Sequence, residues 1–419
     1  MTERISIRRQ RWILFSVLAL MYILVYFYRV SLAVVAGDIS RELKLTPQQL
    51  GTLSGILFYV YAVAQLPLGP MIDRLGSRLV ISGCGVLTAI GGILFSQANS
   101  LAMAMAARVL IGIGTAAVLM ATFTVFSHWY TKQEFGRVSG FMVAVGNLGN
   151  LSATAPLALA VAAFGWRSSF LVIGVIQILV TVLVFGMVRN RPPVVATAAH
   201  SHSSPLASPL NQEGMLAAWG EIFGNADFWL LGTIAFAWYG NYLALQGLWG
   251  GPYLMDVLRL SREATGKMLM FTSLGFITGS MVTDTIARRF FKSYKKTLLA
   301  GQMLLLVLMS GFLGMADSLP QSLLMASFFA IGLAVSSGVM IYPIIRAMFR
   351  VEIVGTALTS LNFFVLMGAA ITQQVMGLII GSYEPGATGA PPQAYHAAFL
   401  FPVIGLAIAI VLFMFAREY

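Results

Sequence analysis

Arg29 stands deep inside a long apolar run that begins near Trp12, preceded by Tyr22 and Tyr26 in the order Tyr-x-x-x-Tyr-x-x-Arg. Helical spacing puts the three side chains on one face. The 17 residues from Trp12 to Arg29, at about 1.5 Å each, carry the arginine roughly 25 Å along a helix, past the middle of a hydrocarbon core about 30 Å thick. A charge at that depth needs a reason. It is either a planar donor fork for a carboxylate or a guanidinium snorkelling to the interface. A second stripe, Trp238, Tyr242, Gln246 and Trp249 with Asn241 beside it, recurs at helical spacing far along the chain. Tyr61, Gln65, Asn147, Asn150, Asn362 and Gln373 add hydrogen-bonding groups inside other apolar runs. Each has two readings: lining for a polar cargo, or the interhelical bonding that Asn and Gln commonly provide in membranes.

Other chemistries find little support. Asp38, Asp256 and Asp317 sit at one end of their apolar runs and Asp73 and Asp284 at the other, so no buried carboxylate is available for a proton relay. His128, His200, His202 and His396 are scattered over span ends and a linker, which suggests neither a histidine relay nor a metal site. No Ser/His/Asp grouping, phosphate-binding glycine loop or pair of carboxylates lies at one depth, so an enzyme is not expected and neither is a cofactor. The single cysteine, Cys84, excludes an intramolecular disulfide.

The elements that must position these groups are helices in a membrane. With 419 residues, 58% of them hydrophobic and only 10% charged, no water-soluble fold could hide this much apolar surface. Candidate spans begin near Trp12, Gln49, Leu79, Leu101, Phe135, Phe164, Asp227, Arg262, Thr297, Pro320, Val351 and Ala394. The expected fold is therefore an all-α membrane protein of twelve spans. Most of the 26 Lys and Arg residues fall in one alternate set of loops and tails, which places both termini in the cytoplasm. That topology and the anionic inner leaflet account for the net charge of +11, so the lipid bilayer is the expected partner and nucleic acid is not. The basic start, Met1 to Arg11, leads into an apolar run too long for a signal-peptide core and is read as the first span.

The largest shift in composition lies at residues 189–226, where Pro192-Pro193, Ser201-His202-Ser203-Ser204-Pro205 and Pro209 interrupt any helix. This is the expected cytoplasmic linker between a six-helix half at residues 1–188 and another at residues 227–419. Inside it, Met215, Leu216, Trp219, Ile222 and Phe223 share a helical face, which predicts a short interfacial helix.

One loop is repeated. Gly69-Pro70-Met71-Ile72-Asp73-Arg74-Leu75-Gly76-Ser77-Arg78 returns in altered form as Gly279 to Arg289, with Asp284 and Arg288 in the corresponding places. Cations alone would serve topology, but the carboxylates are not required for it. They favour a latch of charge pairs and helix ends that opens during a conformational cycle. Arg108-x-x-x-Gly112 adds a cation early in the fourth span, read either as a conformational residue or as a donor to backbone carbonyls of span one or two.

The Gly-x-x-x-Asp-Arg-x-Gly-x-Arg loop, the Arg108-x-x-x-Gly112 pattern and Gly165-Trp166-Arg167-x-x-Phe170 together resemble the major facilitator superfamily. The run Tyr26 to Ala33, with Tyr61-Ala62-x-x-Gln65-x-Pro67-x-Gly69, is most similar to its organic-anion branch, which includes anion:cation symporters and organophosphate antiporters. The resemblance implies two pseudo-symmetric halves and a cargo site near the midplane, with Arg29 binding an anion. It also implies gating roles for Gly69, Asp73, Arg74, Gly76, Arg78, Arg108, Asp284 and Arg288. Two departures matter: Tyr28 stands where symporter relatives often carry an acid, and Leu243 where organophosphate antiporters carry a second arginine. A singly charged anion or zwitterion is thus expected over a phosphate ester.

The expectation is a monomeric secondary transporter of the bacterial inner membrane, moving a small carboxylate-type anion or zwitterion by alternating access, either alone or together with a co-transported proton. Its cargo-lining residues would be Tyr22, Tyr26, Arg29, Tyr61, Gln65, Asn147, Trp238, Asn241, Tyr242, Gln246 and Asn362. The alternatives are an exporter of amphipathic or drug-like compounds, suggested by the aromatic lining, and a transport-dead sensor, disfavoured by the intact loops.

Overall fold

The computed structural model describes residues 2–192, 212–350, 353–384 and 390–418. Every regular element among them is helical. This is the backbone's solution to a solvent without hydrogen-bonding partners. Two compact units divide the chain: Met1–Leu45 with Ile56–Ser201, and Thr46–Gly55 with His202–Tyr419.

In the first unit, α1 (Thr2–Val30) and α2 (Leu32–Glu42) make one pass interrupted at Ser31. The second pass is α3 (Pro47–Leu75), whose first turns belong to the other unit. Then come α4 (Ser77–Ser96) and a fourth pass of α5 (Leu101–Ala116) and α6 (Val118–Trp129). The fifth pass joins α7 (Lys132–Ser152) to the start of α8 (Ala155–Met187). Gly165, at φ 78°, breaks α8 so that its remainder forms the sixth pass. An L-residue with a Cβ would be strained there.

The second unit opens with α9 (Gln212–Gly224), where the sequence predicts a short helix; residues 193–211 of the expected linker lie outside the described residues. Glu221 of α9 pairs with Arg350 and the Trp219 ring stacks on Phe223. The side chains of Glu213, Met215 and Leu216 lie outside the described set, as do His200 and His202. Span seven is α10 (Ala226–Leu243), a π-helical stretch Ala244–Trp249 and α11 (Gly250–Asp256). After it come α12 (Arg262–Ile286), α13 (Tyr294–Ser310), α14 (Gln321–Ser336) with α15 (Ile341–Met348), α16 (Val354–Gly381) and α17 (Pro392–Met414).

Eight described stretches are long and apolar enough to cross a bilayer, and one of them, Val138–Met187, holds 50 residues and therefore two passes. The passes through α3, α10–α11 and α12 complete the twelve. Packing follows the same scheme in each unit. Span one rests on span five (α1 on α7) and span seven on span eleven (α10 on α16), while spans three and six pair as nine and twelve do. Small residues permit these approaches. A Cβ on Gly149 would fall 2.0 Å from the Ile23 carbonyl, and one on Gly368 would fall 2.1 Å from the Phe236 carbonyl.

Helix starts use local side chains as the sequence dictates. Thr131 and Glu134 form a reciprocal capping box at α7, and Ser100, Ser261 and Ser293 accept from backbone N–H groups at α5, α12 and α13.

Candidate functional site

The first unit gathers its functional candidates around Arg29. The guanidinium lies over two rings, 4.9 Å from the centre of Tyr26 and 4.8 Å from that of Tyr61, and Arg29 is buried. Tyr26 sits one helical turn before it on α1, while Tyr61 arrives from α3. The Tyr61 hydroxyl is hydrogen-bonded to both Arg29 and Gln65. Tyr22 continues the stripe: its ring meets Tyr26 edge-on at 4.9 Å, and its hydroxyl donates to the Tyr26 hydroxyl at 3.3 Å. Aromatic faces carry negative quadrupole density, so two of them stabilise a cation without consuming its N–H donors. The arrangement is a buried planar cation on an aromatic bed, suited to a flat anion.

Helix α7 holds this bed in place. A Cβ on Gly146 would lie 2.5 Å from the Tyr22 ring, and Gly149 lies against Tyr26 and the backbone of Ile23. Asn147, between them, donates to the Val143 carbonyl and accepts from Asn150. Gly140, on the same helix, meets nothing within 4 Å and has no part in the contact. Arg108, buried on α5, donates to the Tyr28 carbonyl at 3.0 Å. Span four therefore grips span one at the residue next to Arg29. Tyr28 itself turns away, its hydroxyl against Gly92 on α4.

The second stripe does not stay together. Trp238 inserts against Gly338 and donates to the Val335 carbonyl, Asn241 donates to the Pro402 carbonyl on α17, and Tyr242 stacks on Phe276 of α12. Gln246 reaches Leu269 and Ser273 on α12, while Trp249 donates to the Gln373 carbonyl on α16. A face drawn at 3.6 residues per turn cannot continue through Ala244–Trp249, because a π-turn adds a residue. These side chains reach four different neighbouring helices, α12, α14, α16 and α17. Asn362 lies half-buried on α16.

The repeated loops adopt different local solutions. Gly76 takes φ 81° at the start of α4, and a Cβ there would fall 2.3 Å from the Asn190 amide nitrogen. Asn190 accepts from the Arg78 backbone N–H at 2.8 Å, while the Arg78 guanidinium donates to the Phe185 carbonyl and covers the Phe185 ring. The motif's glycine and last arginine thus dock on the end of span six. In the second unit Asp284 pairs with Arg288 one turn away at 2.9 Å, and Lys292 takes the left-handed conformation. Arg74 is exposed, Gly69 has no close neighbour, and the Asp73 side chain lies outside the described set.

Two polar clusters escaped the sequence reading. Asp317 accepts from the Tyr253 hydroxyl at 2.5 Å and contacts His396 Nε2 at 2.8 Å, while Tyr395 donates to Asp256 at 2.6 Å. The sequence places His396 at the start of span twelve and Asp317 at a span end, and the fold sets the two side by side. They are 79 residues apart in sequence, and only packing unites them. In the first unit Glu42, at the end of α2, accepts from Trp166 and Arg167, whose guanidinium also binds the Ser96 and Ala98 carbonyls. The Trp166 bond, then the Arg167 bond, hold the Glu42 carboxyl below the usual carboxylate range.

These features, a loop of Gly76 and Arg78 docked on span six and an arginine in span one within a doubled set of six passes, agree with a match of the Major Facilitator Superfamily pattern over residues 18–341. The chain belongs to that superfamily. As a major facilitator it is a multi-pass membrane protein with two matching halves. Solved structures sharing its fold include a bacterial homologue of the human lysosomal transporter Spinster, with a TM-score of 0.78 at 20% identity over 97% of this chain and 96% of that one. A D-xylose-proton symporter gives 0.76 at 14% identity, over 97% and 98%.

Among curated major facilitators the chain is similar to a probable L-galactonate transporter of Escherichia coli, 29% identical over 63% of this chain and 59% of that one. A probable sulfoacetate transporter of Cupriavidus necator is 26% identical over 68% and 65%. The chain therefore matches less than two thirds of the length of each of these relatives. A membrane sensor protein of Salmonella typhimurium is 24% identical over 93% of this chain and 87% of that one.

Proposed function

We propose that this protein is a secondary transporter of a small, singly charged organic anion, of the carboxylate type, working by alternating access in a bacterial inner membrane with both termini in the cytoplasm. The observation that carries the reading is Arg29 held over the Tyr26 and Tyr61 rings. The rings offset part of the cost of burying a guanidinium, and the planar N–H fork supplies two parallel charge-assisted bonds to a carboxylate. Tyr22 and Gln65 extend the bed with further hydrogen-bonding groups. Relatives named for galactonate and sulfoacetate support the same class of cargo.

In this mechanism Arg108 positions rather than binds, by fixing the Tyr28 carbonyl beside Arg29. The docked loop of Gly76 and Arg78 and the Asp284–Arg288 pair act as latches at span ends, made and broken as the halves alternate. A proton enters with the anion, which meets Arg29 as the charged species and crosses as a neutral pair.

Uptake of labelled sugar acids, sulfonates and simple carboxylates into liposomes containing purified protein tests the proposal, with and without an inward proton gradient. Saturable uptake that Arg29→Ala abolishes, in protein that inserts normally, is expected. Binding with no uptake under any gradient would place the chain functionally with the sensor relative instead. Equal accumulation with and without the gradient would remove the proton from the scheme.

A further inference from the structure

Gln373 of α16 bonds both ends of the π-helical stretch Ala244–Trp249. Its side-chain nitrogen donates at 2.8 Å to the carbonyl of Leu243, the residue before the stretch. Its backbone carbonyl accepts at 2.9 Å from the indole N–H of Trp249, the last residue of the stretch. Every residue from Leu243 to Gly250 is buried, as is Gln373. The Trp249 ring also lies against Gly377 of α16, where a Cβ would fall 3.1 Å from it.

A π-turn is a rare register, with one extra residue in the turn and hydrogen bonds that run from the fifth residue instead of the fourth. Here the Gly250 N–H bonds the Leu245 carbonyl, five residues back. Two glycines leave room for the arrangement. A Cβ on Gly247 would fall 2.6 Å from the Gln373 amide nitrogen, and one on Gly250 would fall 2.2 Å from the Leu245 carbonyl. The Gln373 Oε1 is buried without a donor, a cost that an apolar side chain of similar size would not carry. What the amide adds is its bond to the carbonyl where the helical ladder is offset.

We propose that Gln373 is a register lock for span seven: with its amide on Leu243 the stretch Ala244–Trp249 stays π-helical, and without it the stretch winds as α-helix. Absorbing the extra residue turns α11 by about 100° and advances it by about 1.5 Å relative to α10, one residue's worth of helix. The effect reaches the outer end of the unit. Tyr253 on α11 donates to Asp317, and Asp256 at its end accepts from Tyr395 of α17. Neither bond survives a rotation of that size, so one side chain on span eleven sets which partners the outer part of span seven meets.

Two substitutions, one on each helix, release the lock by different routes. Gln373→Leu removes the donor at nearly constant volume, which a packed interior tolerates well. Gly250→Ala leaves Gln373 intact and drives a Cβ into the Leu245 carbonyl. Full-length protein carrying 5-fluorotryptophan is examined by fluorine NMR in detergent, the Trp249 signal being assigned by its loss in Trp249→Phe. Both variants are expected to move that signal to one common position, because both swing the ring off α16. Thermal midpoints supply the second readout. Tyr253 and Gln373 share no hydrogen-bond partner, so independent effects should add. Tyr253→Phe should instead lower the midpoint of the parent by about 2–4 °C and that of Gln373→Leu by under about 1 °C, its bond to Asp317 being already lost there. A Trp249 signal that stays in place in either variant would overturn the proposal, as would an equal effect of Tyr253→Phe in the two backgrounds. Neither readout involves cargo, so the outcome is independent of the transport reading.

Discussion

The Arg29 guanidinium rests 4.8 Å from the centre of the Tyr61 ring, brought there from a different helix, with the Tyr26 ring of its own helix at 4.9 Å. The contact ties the cation of span one to span two. It also makes the ring and the hydroxyl of Tyr61 separable in experiment. Tyr61→Phe keeps the aromatic face and loses the bonds to Arg29 and Gln65, and should weaken anion binding about three- to tenfold, the equivalent of one ordinary hydrogen bond. Tyr61→Leu removes both and should cost more. Arg29→Lys keeps the charge without the planar fork and should lose at least about tenfold. Titration calorimetry on purified protein reads all three; equal affinity in Tyr61→Phe and Tyr61→Leu would remove the ring from the site.

Gly149 and Gly140 lie on one helix and predict opposite outcomes. Alanine at 149 must push α7 off α1, because its Cβ would sit 2.0 Å from the Ile23 carbonyl. A loss of about 1–3 kcal/mol is expected, with weaker binding as the Tyr26 contact shifts. Alanine at 140 meets nothing within 4 Å and should be neutral or stabilise by up to about 1 kcal/mol through helix propensity. Thermal unfolding midpoints in detergent compare the two.

The loop glycine combines two separable penalties. Gly76→Ala forces a residue with a Cβ into an essentially glycine-only conformation, φ 81° and ψ 150°, costing about 1–3 kcal/mol, and drives that Cβ into the Asn190 amide nitrogen 2.3 Å away. In an Asn190→Ala background the second penalty disappears. The two substitutions should therefore be strongly non-additive in a double-mutant cycle on stability; strict additivity would show that the loop does not press on the end of span six.

Glu42 predicts a direction for pH. Its carboxyl is depressed chiefly by the Trp166 bond and then by Arg167, so its contribution to stability is present above the unfolded value of about 4.3 and is lost as pH falls through the lower folded value. With the Glu42 side chain 46% exposed, screening keeps the effect small, under about 2 °C in the midpoint. Trp166→Phe should flatten the acid side of the midpoint-against-pH curve, and an unchanged slope would show that the bond carries no linkage.

Much of this architecture is legible in the chain alone, because membrane helices obey local rules. Apolar runs of spanning length act within a few positions of themselves. The loop from Gly69 to Arg78 could likewise be recognised, since its glycines and charges are fixed in register. The stripe Tyr22, Tyr26, Arg29 was readable for the same reason: α1 is a regular helix through those residues, so spacing translates directly into a face. The stripe in span seven was not. The π-helical turn at Ala244–Trp249 shifts Gln246 and Trp249 off the face that Trp238 and Tyr242 share on α10, and Trp238, Asn241 and Gln246 bond three different neighbours.

What the tertiary structure alone decided is who meets whom. Tyr61 under Arg29, Asn190 against Gly76, and Asp317 between Tyr253 and His396 join residues far apart in the chain. Such partners carry no local signal, because a side chain's identity records what it can bond and not which helix will be beside it. The chain by itself determined a doubled helical membrane protein with an arginine deep in its first span. Packing of helix on helix decided that this arginine lies on a bed of tyrosines.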